Sequence, residues 1–301
     1  MKKTFHLTGS TLLLAVMLCS SNSCKQSAQP ASPAADTLAV TSESDTLVTS
    51  PAFTYTTKQD STIDCSFEVD YPQQTDSLAQ GVKQFIAKEL AQVYVPYTAS
   101  EEAPKGYPLY KGSLEKCEAL VKHYAEGSKR FFVAEQKEAM SEMTDGNWAP
   151  RYHCEVKVKK VDETSGYVTY GTGSEVYLGG AHGSYFYQET NISKRTHSAL
   201  AQTVDTTKVK ALQPLLRQGV IGYLKDCGVE NAEKDYKSHL FLPDDGHIPL
   251  PVCTPTLKKN GVAFTYQQYE IASYAVGLVS FVVPYDKIKP YLCKEALEVL
   301  E

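Results

Sequence analysis

Several features that would identify a function directly are missing from the 301 residues of this sequence. There is no Cys-x-x-Cys pair, which disfavours a zinc ribbon or a dithiol redox motif. No stripe of basic residues suggests nucleic-acid binding, and the formal net charge of −5 mildly favours a cationic partner over an anionic one. No catalytic signature stands out. The sequence therefore predicts location and architecture more directly than it predicts chemistry.

Residues 1–23 have the pattern of an export signal. Lys2 and Lys3 precede an apolar run that is far shorter than the ~20 residues of a membrane-spanning helix, and no later stretch is long and apolar enough to span a bilayer. Cys24 follows small residues and resembles a bacterial lipobox cysteine, although Ser21 replaces the usual aliphatic residue. We predict a signal peptide, a lipid on Cys24 and a location at the cell envelope, in the periplasm or at the outer membrane; ordinary secretion is the alternative.

Composition and periodicity divide the rest of the chain into three parts. Residues 24–50 are rich in Ser, Thr, Ala and Pro, which predicts a flexible tether. Residues 51–150 contain two strand-like runs and two amphipathic helices, typical of a small α/β subdomain. Residues 151–301 contain mostly strand patterns and one long helix. The predicted fold class is α+β: a mainly antiparallel sheet with packed helices, preceded by the smaller α/β subdomain.

Local patterns in the C-terminal part give specific expectations. Three glycines within residues 179–183 interrupt a strand pattern and predict a tight bend between two strands. Asn260 and Gly261 form the preferred two-residue turn of a hairpin, in which both central positions need positive φ. The run at residues 277–283 is apolar on both faces, which predicts a central strand.

Eight cysteines are present, and Cys19 and Cys24 belong to the predicted signal region. The others are even in number, which permits disulfides in an exported protein. Cys117 lies on the apolar face of a predicted helix, where a free buried thiol is favoured.

Three stretches occur together in an order and spacing that resemble a known domain. They are "YLGGAHGSYFYQETNIS", "LQPLLRQGVIGYL" and "GVAFTYQQYEIASYAVGLVSFVVPYDKIKPYL". They resemble the C-terminal domain shared by lysozyme-sensing anti-sigma factors and a group of peptidoglycan deacetylases, over residues 150–293; residues 52–150 resemble the preceding domain of that family more loosely. The resemblance implies an α+β fold, an envelope location and binding of lysozyme, but no activity for this domain.

The departures from these relatives narrow the functional expectation. The deacetylases carry a separate catalytic domain with a His-x-x-x-His zinc site, and the anti-sigma factors carry a membrane helix; this chain has neither pattern. We therefore predict a non-catalytic lipoprotein that binds a lysozyme-like protein or peptidoglycan, with no cofactor, no metal and no nucleic acid, and with membrane contact through the lipid alone. A hydrolase acting on cell-wall glycan is the alternative.

The candidate binding residues come from the first and the third of the three quoted stretches. Tyr177 and His182 lie in the first, and Glu270 and Tyr274 lie in the third. In the hydrolase alternative, His182 and Glu270 lie in the site. The favoured hypothesis is a structural corner in which they hydrogen-bond, because a His and a Glu without a nucleophile or metal define no reaction class.

Two further patterns have plain structural explanations. The stretch "HLFLPDDGH" offers metal-ligand types in His239, Asp244, Asp245 and His247, but aspartates beside Gly and Pro are common turn residues, so a turn is predicted. Asn191 opens an N-glycosylation signal, which a bacterial lipoprotein has no reason to use.

Overall fold

The computed structural model describes residues 46–92, 109–142 and 151–301, which form two β-sheets with helices packed against them. The predicted signal peptide, Cys24 and most of the predicted tether lie outside the described residues. The first sheet and its helices are β1 (Phe53–Gln59), β2 (Ile63–Val69), α1 (Ser77–Gln92), α2 (Cys117–Glu142), β3 (Tyr152–Glu163), β4 (Tyr167–Tyr177) and β5 (Ser184–Ser193). The elements that follow are α3 (Val209–Asp226), α4 (Ala232–Asp235), β6 (Thr256–Lys258), β7 (Gly261–Tyr266), β8 (Val279–Pro284), α5 (Tyr285–Ile288) and α6 (Lys294–Glu298).

The first sheet has the order β1-β2-β3-β4-β5, in which β2 and β3 run parallel and the other neighbours antiparallel. Parallel strands need a long connection, and α1 and α2 lie within it. Ile63, Cys65 and Phe67 alternate with more polar residues along β2, so their side chains share one face of the sheet. The helices cover that face, and Val82 of α1 and Leu120 of α2 are buried in the same core.

This sheet crosses the predicted boundary at residue 150. β2 precedes the boundary and β3 follows it, and the two strands pair along the full length of β2. Val156 of β3 is buried in the same core as Phe67 of β2. The end of the predicted tether also joins the fold, because Leu47 is buried and its N–H donates to Glu163 Oε1 at 2.9 Å. Residues from all three predicted parts therefore share one core.

The second sheet is antiparallel, with the order β6-β7-β8, and α3 packs against β8. A second core forms here, in which Leu216 and Val220 of α3 are buried with Phe264 of β7 and Val279 of β8. With the mixed first sheet, this arrangement confirms the predicted α+β class. Within the described ranges, no helix combines the length and the apolar character that a bilayer crossing requires.

Two local predictions in the second sheet are wrong. β8 lies at the edge, and β7 is the central strand; Val282 of β8 points away from the core and is 42 % exposed. In the hairpin, Lys258 pairs with Gly261, so the two loop residues are Lys259 and Asn260 rather than Asn260 and Gly261. Gly261 is required instead by the close approach of β8, since a Cβ atom there would lie 2.2 Å from the Val283 carbonyl oxygen.

Candidate functional site

The glycine-rich stretch forms the connection between β4 and β5, as predicted. Gly179 and Gly180 have φ values of 81° and 91°, which residues with a side chain rarely adopt. The Tyr177 hydroxyl donates to the Gly180 carbonyl oxygen at 2.9 Å. His182 Nδ1 donates to the carbonyl oxygen of Gly183 at 3.0 Å. The loop therefore holds an exposed His182 at the end of the hairpin.

An aromatic patch lies at this end of the first sheet and consists of His182, Tyr269 and Tyr274. The His182 ring stacks on the Tyr274 ring, with a centroid separation of 3.9 Å and an interplanar angle of 21°. Tyr269 lies 6.1 Å from Tyr274 between ring centroids and is 57 % exposed. Its φ of 64° is unusual for a bulky residue, and strained backbone of this kind clusters at functional sites.

Glu270 supports this patch from within the fold. Its Oε1 accepts the Val252 N–H at 2.6 Å, and its Oε2 accepts the Gln267 N–H at 2.7 Å. Burial raises the pKa of the Glu270 carboxyl, and the two backbone hydrogen bonds oppose that rise. The carboxyl thus joins two loops and forms no hydrogen bond with His182, so the predicted hydrogen-bonded pair is wrong.

Side-chain amides fix the segment at residues 267–274 against the edge of β5. Gln267 imitates a neighbouring strand: its Oε1 accepts the Tyr187 N–H at 3.1 Å, and its Nε2 donates to the Tyr187 carbonyl oxygen at 2.8 Å. Gln268 Oε1 accepts the Tyr185 N–H at 3.0 Å. These bonds satisfy backbone groups of an edge strand and bring Tyr274 to the hairpin end. Neither glutamine was singled out from the sequence.

The candidate residues are therefore only partly together. Tyr177, His182 and Tyr274 lie around one loop, whereas the Glu270 carboxyl bonds to the backbone at Val252 and Gln267. A cleft of about 820 Å³ lies elsewhere, between α1, β5 and the loop at residues 252–254, and neither His182 nor Glu270 lines it.

Sequence reasoning also missed Glu89, a carboxyl in the wall of this cleft that is only 7 % exposed. A signal for it exists, because Glu89 lies three and four residues after Ile86 and Phe85, on the apolar stripe of α1. Cys253 also lines the cleft, and burial raises the pKa of its thiol to about 11. A protonated thiol of this kind is a poor nucleophile.

Among the described residues, the cysteines form no disulfide and the suspected metal ligands form no metal site. All six cysteines of the described ranges are free thiols, and burial raises the pKa of Cys117 to about 12. His247 Nδ1 lies 2.5 Å from Asp245 Oδ1, in a turn where the Gly246 N–H donates to the Pro243 carbonyl oxygen. Among the described residues, no group of three or more His, Cys, Asp or Glu side chains is arranged to hold a metal ion.

Two family models match separate parts of this chain. The family model "Deacetylase PdaC" matches residues 58–185, and the model "Protein of unknown function (DUF3298)" matches residues 228–286. The matches confirm the resemblance predicted from the sequence, including the looser one before residue 150. No curated protein matches the chain significantly.

Two solved structures share the fold. A DUF3298 family member from Bacteroides fragilis NCTC 9343 is 21 % identical, with a TM-score of 0.60 over 84 % of this chain and 95 % of that chain. A DUF3298 family protein from Pseudomonas aeruginosa PAO1 is 14 % identical, with a TM-score of 0.57 over 84 % of this chain and 97 % of that chain. At these identities the likeness concerns the fold alone.

Proposed function

We propose that this chain, in which a PdaC-like segment is followed by a DUF3298 segment, is a non-catalytic binding module of the cell envelope that recognises a protein through the aromatic patch. The observation that carries the proposal is the stacked His182–Tyr274 pair beside the exposed ring of Tyr269. Tyrosine supplies large contact area at low entropic cost, and it is enriched in protein interfaces.

The geometry of the patch favours binding over catalysis. His182 uses Nδ1 for a backbone hydrogen bond and one ring face for Tyr274. Glu270 accepts two backbone N–H groups and lies apart from the imidazole's hydrogen bonds. General acid–base catalysis requires a positioned proton-transfer partner, and the hydrolase alternative loses its proposed pair.

A basic protein such as a lysozyme is the partner that we propose. The chain has a formal net charge of −5, and opposite net charge speeds encounter in a way that added salt weakens. The sequence resemblance to lysozyme-sensing proteins points to the same partner. Peptidoglycan, the second partner predicted from the sequence, provides the competing outcome.

The test measures binding of a lysozyme and of isolated peptidoglycan to the mature protein at low and high salt. We expect saturable lysozyme binding that weakens with salt, and a loss of at least about tenfold in Tyr269→Ala and Tyr274→Ala, as at interface hot spots. Leu109→Ala is the matched control, because Leu109 is 65 % exposed and lies outside the patch. Equal lysozyme affinity in all variants would show that the aromatic patch does not contact the partner. If the protein hydrolyses peptidoglycan and His182→Ala abolishes that activity, the protein is a hydrolase and the binding proposal is wrong.

The location forms a second part of the proposal. The short apolar run and the small residues before Cys24 support export and lipid attachment. Cys24→Ala should move the protein from the membrane fraction to the soluble fraction, as measured by fractionation and immunoblotting. If the variant and the parent associate equally with membranes, Cys24 is not the anchor.

A further inference from the structure

The cleft of about 820 Å³ is bounded by α1, by β4 and β5, and by the loops at residues 197–201 and 252–254. α1 meets the first loop at Gly81, where a Cβ atom would lie 1.9 Å from the His197 carbonyl oxygen. The volume falls within the roughly 300–1,000 Å³ that is typical of small-molecule sites. The cleft is therefore large enough for a small ligand, and close contacts define its walls.

Glu89 is the buried carboxyl in the wall of this cleft. Its Oε2 accepts a hydrogen bond from Gln188 Nε2 at 2.8 Å, and Gln188 also lines the cleft. Burial raises the pKa of the Glu89 carboxyl, and the hydrogen bond from Gln188 opposes that rise. A buried carboxyl costs stability unless its partners compensate for lost water. Such a group in a cleft wall is a candidate for ligand contact.

The rest of the lining combines apolar side chains with polar ones that carry little charge. Besides Glu89, the ionisable side chains there are Lys88, His197 and Cys253, and burial raises the pKa of the Cys253 thiol. Glutamine amides from α1 and β5, and hydroxyls from β4, β5 and the loops, supply the remaining polar groups. Phe85 and Phe186 add aromatic rings. This lining has no cluster of cations that would bind a phosphate. The positive charge of Lys88 weakens the attraction of the Glu89 carboxylate for a cationic ligand.

We propose that this cleft binds a short neutral sugar chain, with Glu89 and Gln188 hydrogen-bonding its hydroxyl or amide groups and Phe186 contacting an apolar face of a sugar ring. Sugar hydroxyls both donate and accept hydrogen bonds, so they match the amides, hydroxyls and carboxyl of the lining, and the apolar faces of sugar rings match its apolar side chains. An ionised carboxyl forms especially strong hydrogen bonds with such donors. The site is separate from the aromatic patch and goes beyond the proposed protein-binding function.

The test uses calorimetry on the mature protein with three trisaccharides of equal length. Chitotriose and cellotriose are the neutral probes, and the trisaccharide of glucosamine is the cationic probe. Ala201→Trp fills the cleft from an exposed position in its lining, and Ala134→Trp places the same bulk on an exposed position of α2 outside it. Glu89→Gln removes the charge at nearly constant volume. Cooperative unfolding of each variant checks that it is folded.

We expect a neutral trisaccharide to bind saturably, Ala201→Trp to abolish binding, and Ala134→Trp to leave it unchanged. Glu89→Gln should weaken binding by at least about tenfold, because a charge-assisted hydrogen bond becomes a neutral one. Binding of neither neutral probe would overturn the proposal, as would equal binding by Ala201→Trp. Tighter binding of the cationic probe would show that the carboxylate serves a cation instead. If Ala201→Trp loses sugar binding but still binds lysozyme, the cleft and the aromatic patch are independent sites, and each proposal can fail without the other.

Discussion

Asn191 shows how one side chain joins the two sheets. Its Oδ1 accepts the Leu257 N–H at 2.7 Å, and its Nδ2 donates to the Leu257 carbonyl oxygen at 3.0 Å and to Thr169 Oγ1 at 2.9 Å. The residue is 3 % exposed, so the amide replaces a strand partner between β5 and β6. Both amide atoms are occupied, which leaves no room for a glycan on the folded chain.

Asn191→Ala should therefore lower the free energy of unfolding by about 2–4 kcal/mol, because buried polar groups of Leu257 lose their partners at about 1–3 kcal/mol each. Chemical denaturation measures the difference. Asn260→Ala, in an exposed turn, should change stability by no more than about 0.5 kcal/mol. Similar losses in the two variants would mean that the amide bonds do not join the sheets.

Glu163 is a second residue whose contribution to stability can be measured, because that contribution should depend on pH. Its carboxyl contacts Lys160 Nζ at 2.5 Å and Lys194 Nζ at 2.7 Å and accepts the Leu47 N–H. Burial alone would raise the pKa of Glu163, but the hydrogen bonds from Lys160, Lys194 and the Leu47 N–H outweigh it and hold the pKa below its usual range.

A lowered pKa means that the ionised carboxyl stabilises the folded state above the unfolded pKa and that this contribution is lost as pH falls through the folded pKa. Glu163→Gln should thus cost about 1–3 kcal/mol at neutral pH and progressively less below about pH 4. Unfolding curves across pH measure this. The exposed Glu138→Gln is the control. A cost that stays constant down to pH 2 would contradict the charge-based explanation.

At the scale of elements, α3 and β8 approach each other through one glycine. A Cβ atom on Gly219 would lie 2.1 Å from a ring carbon of Phe281, whereas a Cβ atom on Gly222 meets nothing within 4 Å. Both glycines lie inside α3. The pair therefore separates helix propensity from packing within one helix.

Gly222→Ala should raise the free energy of unfolding by up to about 1 kcal/mol, because alanine favours the helix. Gly219→Ala should lower it by about 1–3 kcal/mol, since overpacking displaces Phe281 from its stacked position on Phe264. Thermal and denaturant unfolding of both variants give the comparison. Stabilisation in both would show that the Phe281 ring moves aside at no cost.

The helices and strands were largely predictable from periodicity, but their positions in the sheets and their long-range contacts were not. Alternation along β2 and the helical stripe of α1 correctly predicted a strand and a helix. β8 was placed in the centre because Val282 is apolar, but that side chain is exposed on an edge strand. Gln267 carries no pattern that predicts its pairing with Tyr187, because the contact joins residues 80 positions apart. Long-range contacts of this kind leave no local signature.

At the scale of the molecule, the predicted boundary at residue 150 separates strands that share one sheet. The change from helical to strand patterns after α2 is real, but α1 and α2 lie in the connection between two parallel neighbours, β2 and β3. A crossover connection and a domain boundary look alike in sequence. After a crossover connection the next strand pairs with the sheet that precedes the connection, whereas after a domain boundary the next strand joins a different sheet.

This arrangement predicts that residues 51–150 do not fold alone. The isolated segment would leave one edge of β2 without β3 and would lose Val156 and Val158 from the core that contains Phe67. A two-stranded sheet is marginally stable at best, so its helices would have too little apolar surface to pack on. Circular dichroism should show a cooperative melting transition for residues 46–301 and a gradual change for residues 51–150. A cooperative transition in the shorter segment would mean that the boundary at residue 150 separates two independently folding units after all.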